Sequence, residues 1–238
     1  MVFLMRTAPI FDRLGIGLTA GDSHYRAYVG PPQDYDLIAA MTFNLLTTAG
    51  LRQHHKLIDV GCGSLRAGRL FIPYLNSGNY IGVEPNEWLV NEAIKHEIGE
   101  DLIRIKAPSF IFKSTLSATD PVQADYAVAQ SIFSHASRAQ IANWLLDISN
   151  HLKGGGALFA TFLIGNEDYN GDDWIYPGCV TYRLETMAQA AAQAGFRFVP
   201  LKWRHPRQTW AVFAKAGYEV WWSDKIPLTW NSKIDANK

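Results

Sequence analysis

Two cysteines in 238 residues, Cys62 and Cys179, are too few for a disulfide framework and point to a reducing, cytoplasmic compartment. An excess of either charge is also missing: 22 basic and 22 acidic side chains cancel, so nothing in the overall electrostatics calls for a nucleic acid or an anionic membrane as partner. No apolar run is long enough for a secretory or membrane-spanning segment; Met1 to Leu18 begins apolar but is broken by Arg6. There is no internal repeat and no low-complexity tract. A metal pattern fails too, since Asp168-x-Asn170-x-Asp172 starts like a calcium loop but has Asp173 where that loop needs Gly and no closing Glu. No metal is expected. Aromatic residues are plentiful, with 8 Trp, 10 Tyr and 12 Phe, and their crowding towards the C-terminus predicts a bulky apolar pocket or contact surface.

The chain is organised around Leu57 to Gly68. Leu57, Ile58 and Val60 form a short apolar run carrying one carboxylate, Asp59, which suits a buried parallel strand. Gly61 and Gly63 allow a sharp turn and close approach to a ligand. From Arg66 the sequence reads as a helix as far as Asn76 to Gly78. A strand, a glycine turn and a helix start make a nucleotide-type site. A second strand, Tyr80 to Glu84, ends on a carboxylate 21 residues past Gly63, where a ribose diol needs a paired acceptor. In a dinucleotide fingerprint the sixth position counted from Gly61 is Gly or Ala, and here it is Arg66. Asp59 beside the turn is no help to a pyrophosphate, whereas a sulfonium or an α-amino group gains from it.

Around this unit, residues 1–33 are rich in Gly and Pro and read as irregular, with the polar-aromatic run His24 to Gly30 inside them. Asp34 to Leu51 is a covering helix. Glu87 to Ile98 is a helix closed by Gly99, and the alternation from Asp101 to Ser117 contains a third strand. Asp125 to Ser131 is the fourth strand, followed through His135 by a helix with Ile141, Trp144, Leu145, Ile148 and Leu152 on one face. Lys153 to Gly156 breaks the chain before a fifth strand, Ala157 to Ile164. The long polar-aromatic connection 165–183 reads as a lid. A last helix ends at Gly195, and two strands flank Arg204 to Arg207.

With its acidic strand end at Glu84, the run Asp59-Val60-Gly61-Cys62-Gly63 resembles the class I S-adenosylmethionine (SAM)-dependent methyltransferases. Gly61 to Arg66 together with Tyr80 to Asn86 looks like a bacterial subgroup met among secondary-metabolite and surface-glycan enzymes. The match runs from 57 to about 164. The resemblance implies an α/β, Rossmann-like three-layer sandwich whose seven-stranded, mostly parallel sheet ends in a C-terminal antiparallel hairpin. It divides the chain into an N-terminal arm and covering helix (1–51), a core with its lid (52–216) and an aromatic tail (217–238), a packed arm or a homodimer contact.

SAM is the implied cofactor. Asp59 would favour its cationic end, unless it merely caps; Glu84 would hold the ribose, with Pro85 and Asn86 beside it; Gly61 would bring the turn close to the cofactor; and the backbone N–H groups of Cys62, Gly63, Ser64 and Leu65 would receive the carboxylate. Arg66 either pairs with that carboxylate or starts the helix. The loop after the third strand has no acidic residue for the adenine amine, only Ser114, Thr115, Ser117 and Thr119. Gln130 and Ser131 fall where the transferred methyl sits. His135 is the first candidate for general base and His205 the second, the alternative for His135 being a helix cap or a hydrogen bond within the site. Tyr28, from the arm, and Tyr169, Trp174 and Tyr176, from the lid, are candidate acceptor contacts, with Asp168 or Asp172 for hydroxyls. The expected reaction is methyl transfer to a small-molecule acceptor, oxygen favoured, a sugar or natural product. The competing readings are a nicotinamide-dependent oxidoreductase and a non-catalytic SAM-binding subunit.

Overall fold

A computed structural model describes residues 14–117, 120–222 and 228. Five short parallel strands carry the site: β1 (Leu57–Val60), β2 (Tyr80–Val83), β3 (Ser109–Ile111), β4 (Ala124–Ala129) and β5 (Leu152–Ile164). Two more follow, β7 (Arg197–Pro200) and β8 (Thr209–Ala214), and the order across the sheet is β3-β2-β1-β4-β5-β8-β7. β8 runs antiparallel to both β5 and β7, the expected hairpin end. An eighth strand, β6 (Thr181–Tyr182), pairs with the end of β5 where the lid returns.

Alternate residues of each strand feed opposite layers. Ile58, Val60, Ile81 and Val83 pack with Ile141, Leu145 and Ile148 of α5 (Arg138–His151) and Met187 of α6 (Leu184–Gln193). Leu57 and Tyr80 face the other layer, built from α1 (Tyr35–Thr48), α2 (Gly68–Tyr74) and α3 (Glu87–Ala93). The helices begin for local reasons. In α5 the Ser137 hydroxyl accepts from Gln140 N while the Gln140 side chain accepts from Ser137 N, which satisfies two otherwise unpaired donors. The cap is thus Ser137 and not His135.

Three expectations change. The alternation at Ile103 and Ile105 belongs to a short helix, α4 (Glu100–Lys106), and only Ser109–Ile111 of that stretch is strand; Ile105 is exposed, so its period-two pattern marks no sheet face. The helix after the glycine turn starts at Gly68, two residues late, because Leu65 takes a left-handed φ of 53° that no helix accommodates. Lys153 to Gly156 does not separate a helix from a strand but bulges within β5: Leu152 pairs with Ala124 and Ala157 with Tyr126, and Gly155, at φ 78°, bonds through its N–H to Ala216 O.

Residues 217–222 of the aromatic tail pack against the body of the protein. Tyr218 and Trp222 join the layer of α1, and Trp221 Nε1 donates to Thr48 O at 3.1 Å. Trp230 and Thr119 lie outside the described residues. No helix among the described residues is long and apolar enough to cross a membrane.

Candidate cofactor and acceptor site

A cavity of about 430 Å³ opens at the carboxyl ends of β1, β2 and β4, the crevice where open α/β sheets hold ligands. Its floor is Val60 and Gly61 from β1, Val83 and Glu84 from β2, and Gln130 and Ser131 beyond β4. Gly61 sits at φ 65°, and a Cβ there would lie 2.1 Å from Ile132 Cδ1. A side chain there would have to push Ile132 aside, and the left-handed φ favours glycine.

Glu84 fastens the turn to the second strand. Its Oε2 accepts from Gly63 N at 3.0 Å, and its Oε1 accepts from Asn86 N and Nδ2 at 2.9 and 2.8 Å. Pro85, Asn86 and Leu89 continue the wall. Arg66 is 8 % exposed, with Nη1 donating to Val29 O at 2.9 Å and Nη2 to Gln130 Oε1. Burial pulls its guanidinium down to about 10, still cationic at neutral pH. Both partners are neutral, and none of the ion pairs among the described residues includes Arg66.

The rest of the glycine turn does not face the cavity. Cys62 N donates to Val83 O and Leu65 N to Cys62 O, so with Gly63 N on Glu84 three of the four N–H groups expected to receive a carboxylate are already used. The Cys62 thiol packs in the core, where burial raises it well above its usual range. Ser64 is buried, its carbonyl accepting from Tyr35 Oη at 2.7 Å. Asp59 shares the strand face of Leu57; its Oδ2 accepts from Tyr80 Oη at 2.7 Å, and it is absent from the cavity wall. Burial pushes this carboxyl up to about 6, against the Tyr80 bond and the Arg66 charge.

His135 lines the cavity and is 6 % exposed. Its Nδ1 lies 3.1 Å from Ile175 O and 2.6 Å from Gly178 O. Two carbonyl acceptors assign the proton to Nδ1 and leave Nε2 as the lone-pair nitrogen. Burial lowers its affinity for a second proton, more than the carbonyls restore. Trp174 and Tyr176 flank the ring at centroid distances of 5.4 and 5.0 Å.

The other base candidate is elsewhere. His205 is not on the cavity wall: its Nδ1 accepts from Arg207 N and Gln208 N at 3.2 and 2.9 Å, and its Nε2 lies 3.2 Å from Gln130 Nε2. Burial, with Arg66 and Arg207 nearby, drives it down to about 3, so it stays neutral behind Gln130. Ser131 takes a strained φ of 64°, with its N–H on Thr161 Oγ1 at 2.7 Å and its hydroxyl accepting from Gln208 Nε2 at 2.7 Å.

Of the expected acceptor contacts, Tyr28, Trp174 and Tyr176 line the cavity and Tyr169 does not. Tyr169, near the start of the lid, packs on the core instead. Asp168 is also turned away: it accepts from Arg183 and Thr186, and the Arg183 bonds hold it well below the usual carboxylate range. Asp172 is exposed and off the wall. Among the lining residues that the sequence leaves unassigned are Leu89, Lys113, Gln140 and Trp144, and Ser114 from the loop after the third strand lies on the wall as well. Trp144 packs on the core face of α5 as its helical spacing predicts, stacked on Phe133, and also reaches the cavity edge, where its Nε1 donates to Ser114 O at 2.7 Å.

Residues 58–158 match the family model of a methyltransferase domain. Among solved structures the chain is similar to magnesium protoporphyrin IX methyltransferase from Synechocystis with bound S-adenosylhomocysteine (SAH), at TM-score 0.59 and 13 % identity over 87 % of this chain and 94 % of that one. It is also similar to a SAM-dependent methyltransferase of Leishmania major, at 0.58 and 16 % over 85 % and 81 %. Human N-acetylserotonin methyltransferase in complex with SAM matches at 0.55 and 15 % over 84 % and 61 %. At these identities the likeness is one of fold. No curated protein sequence matches significantly. Residues 58–158 thus carry a methyltransferase-domain match, and the sheet around them has the fold of the SAM-dependent methyltransferases to which the chain is similar.

Proposed function

We propose that this protein transfers a methyl group to a hydroxyl oxygen of a small molecule, with His135 as general base. The observation that carries the proposal is the tethered imidazole: two lid carbonyls hold its Nδ1–H, so Nε2 is left to accept a proton from an acceptor in the same cavity. Two of the similar structures support a small-molecule acceptor, since their names specify a porphyrin and N-acetylserotonin.

The cavity fits SAM on its own chemistry. A buried guanidinium without a carboxylate partner suits the methionyl carboxylate, since a fork of N–H donors pairs bidentately with it. Glu84, already ordered by Asn86, is the acceptor for the ribose hydroxyls. Gly61 lets the ligand approach the backbone, and Leu89, Lys113 and Ser114 border the remaining wall for the base. When bound, SAM supplies an electrophilic methyl group on a sulfonium. The protein's share is to hold the acceptor in line with that group, to keep bulk water out under the lid, and to receive the hydroxyl proton at His135 Nε2. Gln130 and Ser131 steady the walls on either side. The unpaired thiols of Cys62 and Cys179 fit the reducing compartment expected from the sequence.

Titration of the purified chain with SAM, SAH and NADH side by side is the first test. SAM and SAH are expected to bind and NADH to fail; binding of NADH alone sinks the assignment in favour of the oxidoreductase reading. His135→Gln is expected to lower kcat by about 10² to 10⁴-fold with SAH affinity unchanged. The wild-type rate should fall only at pH values below the usual histidine range, because burial lowers the His135 pKa. Full activity in this variant removes the base.

A further inference from the structure

The cavity wall is aromatic over an unbroken arc. Tyr28 lies 5.8 Å from Tyr176, Tyr176 5.0 Å from His135, His135 5.4 Å from Trp174 and Trp174 6.1 Å from Trp144, centroid to centroid. All five rings line the cavity. Recognition of a sugar needs carboxylates or amides that grip hydroxyls from several sides, and an ammonium acceptor needs a counter-charge. The wall lacks a free counter-charge, and its amides are already engaged: Asn86 Nδ2 on Glu84, Gln130 on Arg66 and His205, and Gln140 Oε1 on Ser137 N. Its only acid is Glu84, which the methyltransfer reading commits to the ribose of the cofactor, and the lid acid Asp168 is bound to Arg183. The charged groups left on the wall are the cations Arg66 and Lys113.

We propose that the acceptor is a planar hydroxylated arene, neutral or anionic, laid against Trp174 and Tyr176 with its hydroxyl on His135 Nε2. This rests on the methyltransfer reading above. The step balances: the phenolic oxygen bonds to the methyl carbon as the carbon–sulfur bond breaks, the sulfonium becomes a neutral thioether, and the phenolic proton passes to Nε2 and then to solvent. A buried, weakly basic imidazole suits this acceptor. A phenol ionises near pH 10, within reach of such a base, whereas an aliphatic hydroxyl holds its proton several units more tightly and asks more of it.

The test is calorimetry on the full chain saturated with SAH, titrated with 2-naphthol, catechol, 4-hydroxybenzoate and methyl β-D-glucopyranoside, followed by mass analysis of each after incubation with SAM. At least one arene is expected to bind and to gain a methyl on oxygen, and the glucoside to do neither. Trp174→Ala, a change at a half-exposed lid residue, is expected to weaken the bound arene about three- to tenfold and to leave SAH affinity alone. Binding of the glucoside without any arene, binding of SAH with none of the four probes, or unchanged arene affinity in Trp174→Ala each overturns the inference while the cofactor assignment stands. Loss of SAH binding in the wild-type chain overturns the methyltransfer reading itself.

Discussion

Arg66→Met is expected to weaken SAH binding by about two orders of magnitude or more, the usual cost of removing one member of a buried charge pair. The reason is the asymmetry of its surroundings. The guanidinium is buried, and its two bonds go to neutral oxygens, Val29 O and Gln130 Oε1. A cation so placed carries a desolvation cost that no carboxylate of the chain offsets at contact distance. Removing it relieves that cost but strands the two acceptors, at about 1–3 kcal/mol each, so the ligand-free variant should stay within a few kcal/mol of the wild type. The contrast is the diagnostic: SAH should raise the Tm of the wild type and leave that of Arg66→Met unmoved. Arg66→Lys keeps the charge without the fork and should fall in between, which guards against a variant that fails to fold. Wild-type affinity in both variants would make Arg66 a structural residue.

Asp59→Asn should stabilise the protein at neutral pH by about 3 kcal/mol, and not at all near pH 4. Burial raises the folded carboxyl from the ordinary 3.8 to about 6. Below pH 4 the folded and unfolded chains both hold this proton. As pH rises towards 6 the unfolded chain releases it and the folded chain keeps it, so stability falls by about 1.4 kcal/mol per pH unit. Above 6 the full cost persists. Asparagine carries no such charge and still offers an oxygen to Tyr80 Oη. Urea unfolding of both proteins at pH 4, 5 and 7.5 measures the divergence. A less stable variant at pH 7.5 would mean that the ionised Asp59 is favoured in the folded chain, by Tyr80 and Arg66 together.

These two residues also show where reading the sequence works. The turn at Gly61 and Gly63 and the strands on either side were legible because glycine and short apolar runs have few other uses. The acid at Glu84 followed from its place at a strand end. What the sequence does not carry is the direction of each donor in a seven-residue loop: Cys62, Ser64 and Leu65 sit in the right segment, yet their groups turn to Val83, Tyr35 and the core. Asp59 is displaced by parity alone, since every second residue of β1 faces the α1 layer. The rings divide similarly. Tyr176 and Trp174 reach the wall while Tyr169 does not, and nothing in the lid's composition tells them apart. Lys113 was hidden because a three-residue strand precedes it, too short for its exit to be located by pattern.

The arm and the lid meet over the cavity, with Tyr176 Oη donating to Tyr28 O and Arg66 to Val29 O. Both roof segments, around 28 and around 175, lie outside the 58–158 span shared with the methyltransferase domain family. The cavity is therefore built from two sources: its floor, with Gly61, Glu84 and Gln130, lies inside that span, while Tyr28, Trp174 and Tyr176 of its roof lie outside it. Changes confined to the roof would reshape one side of the cavity and leave the floor as it is.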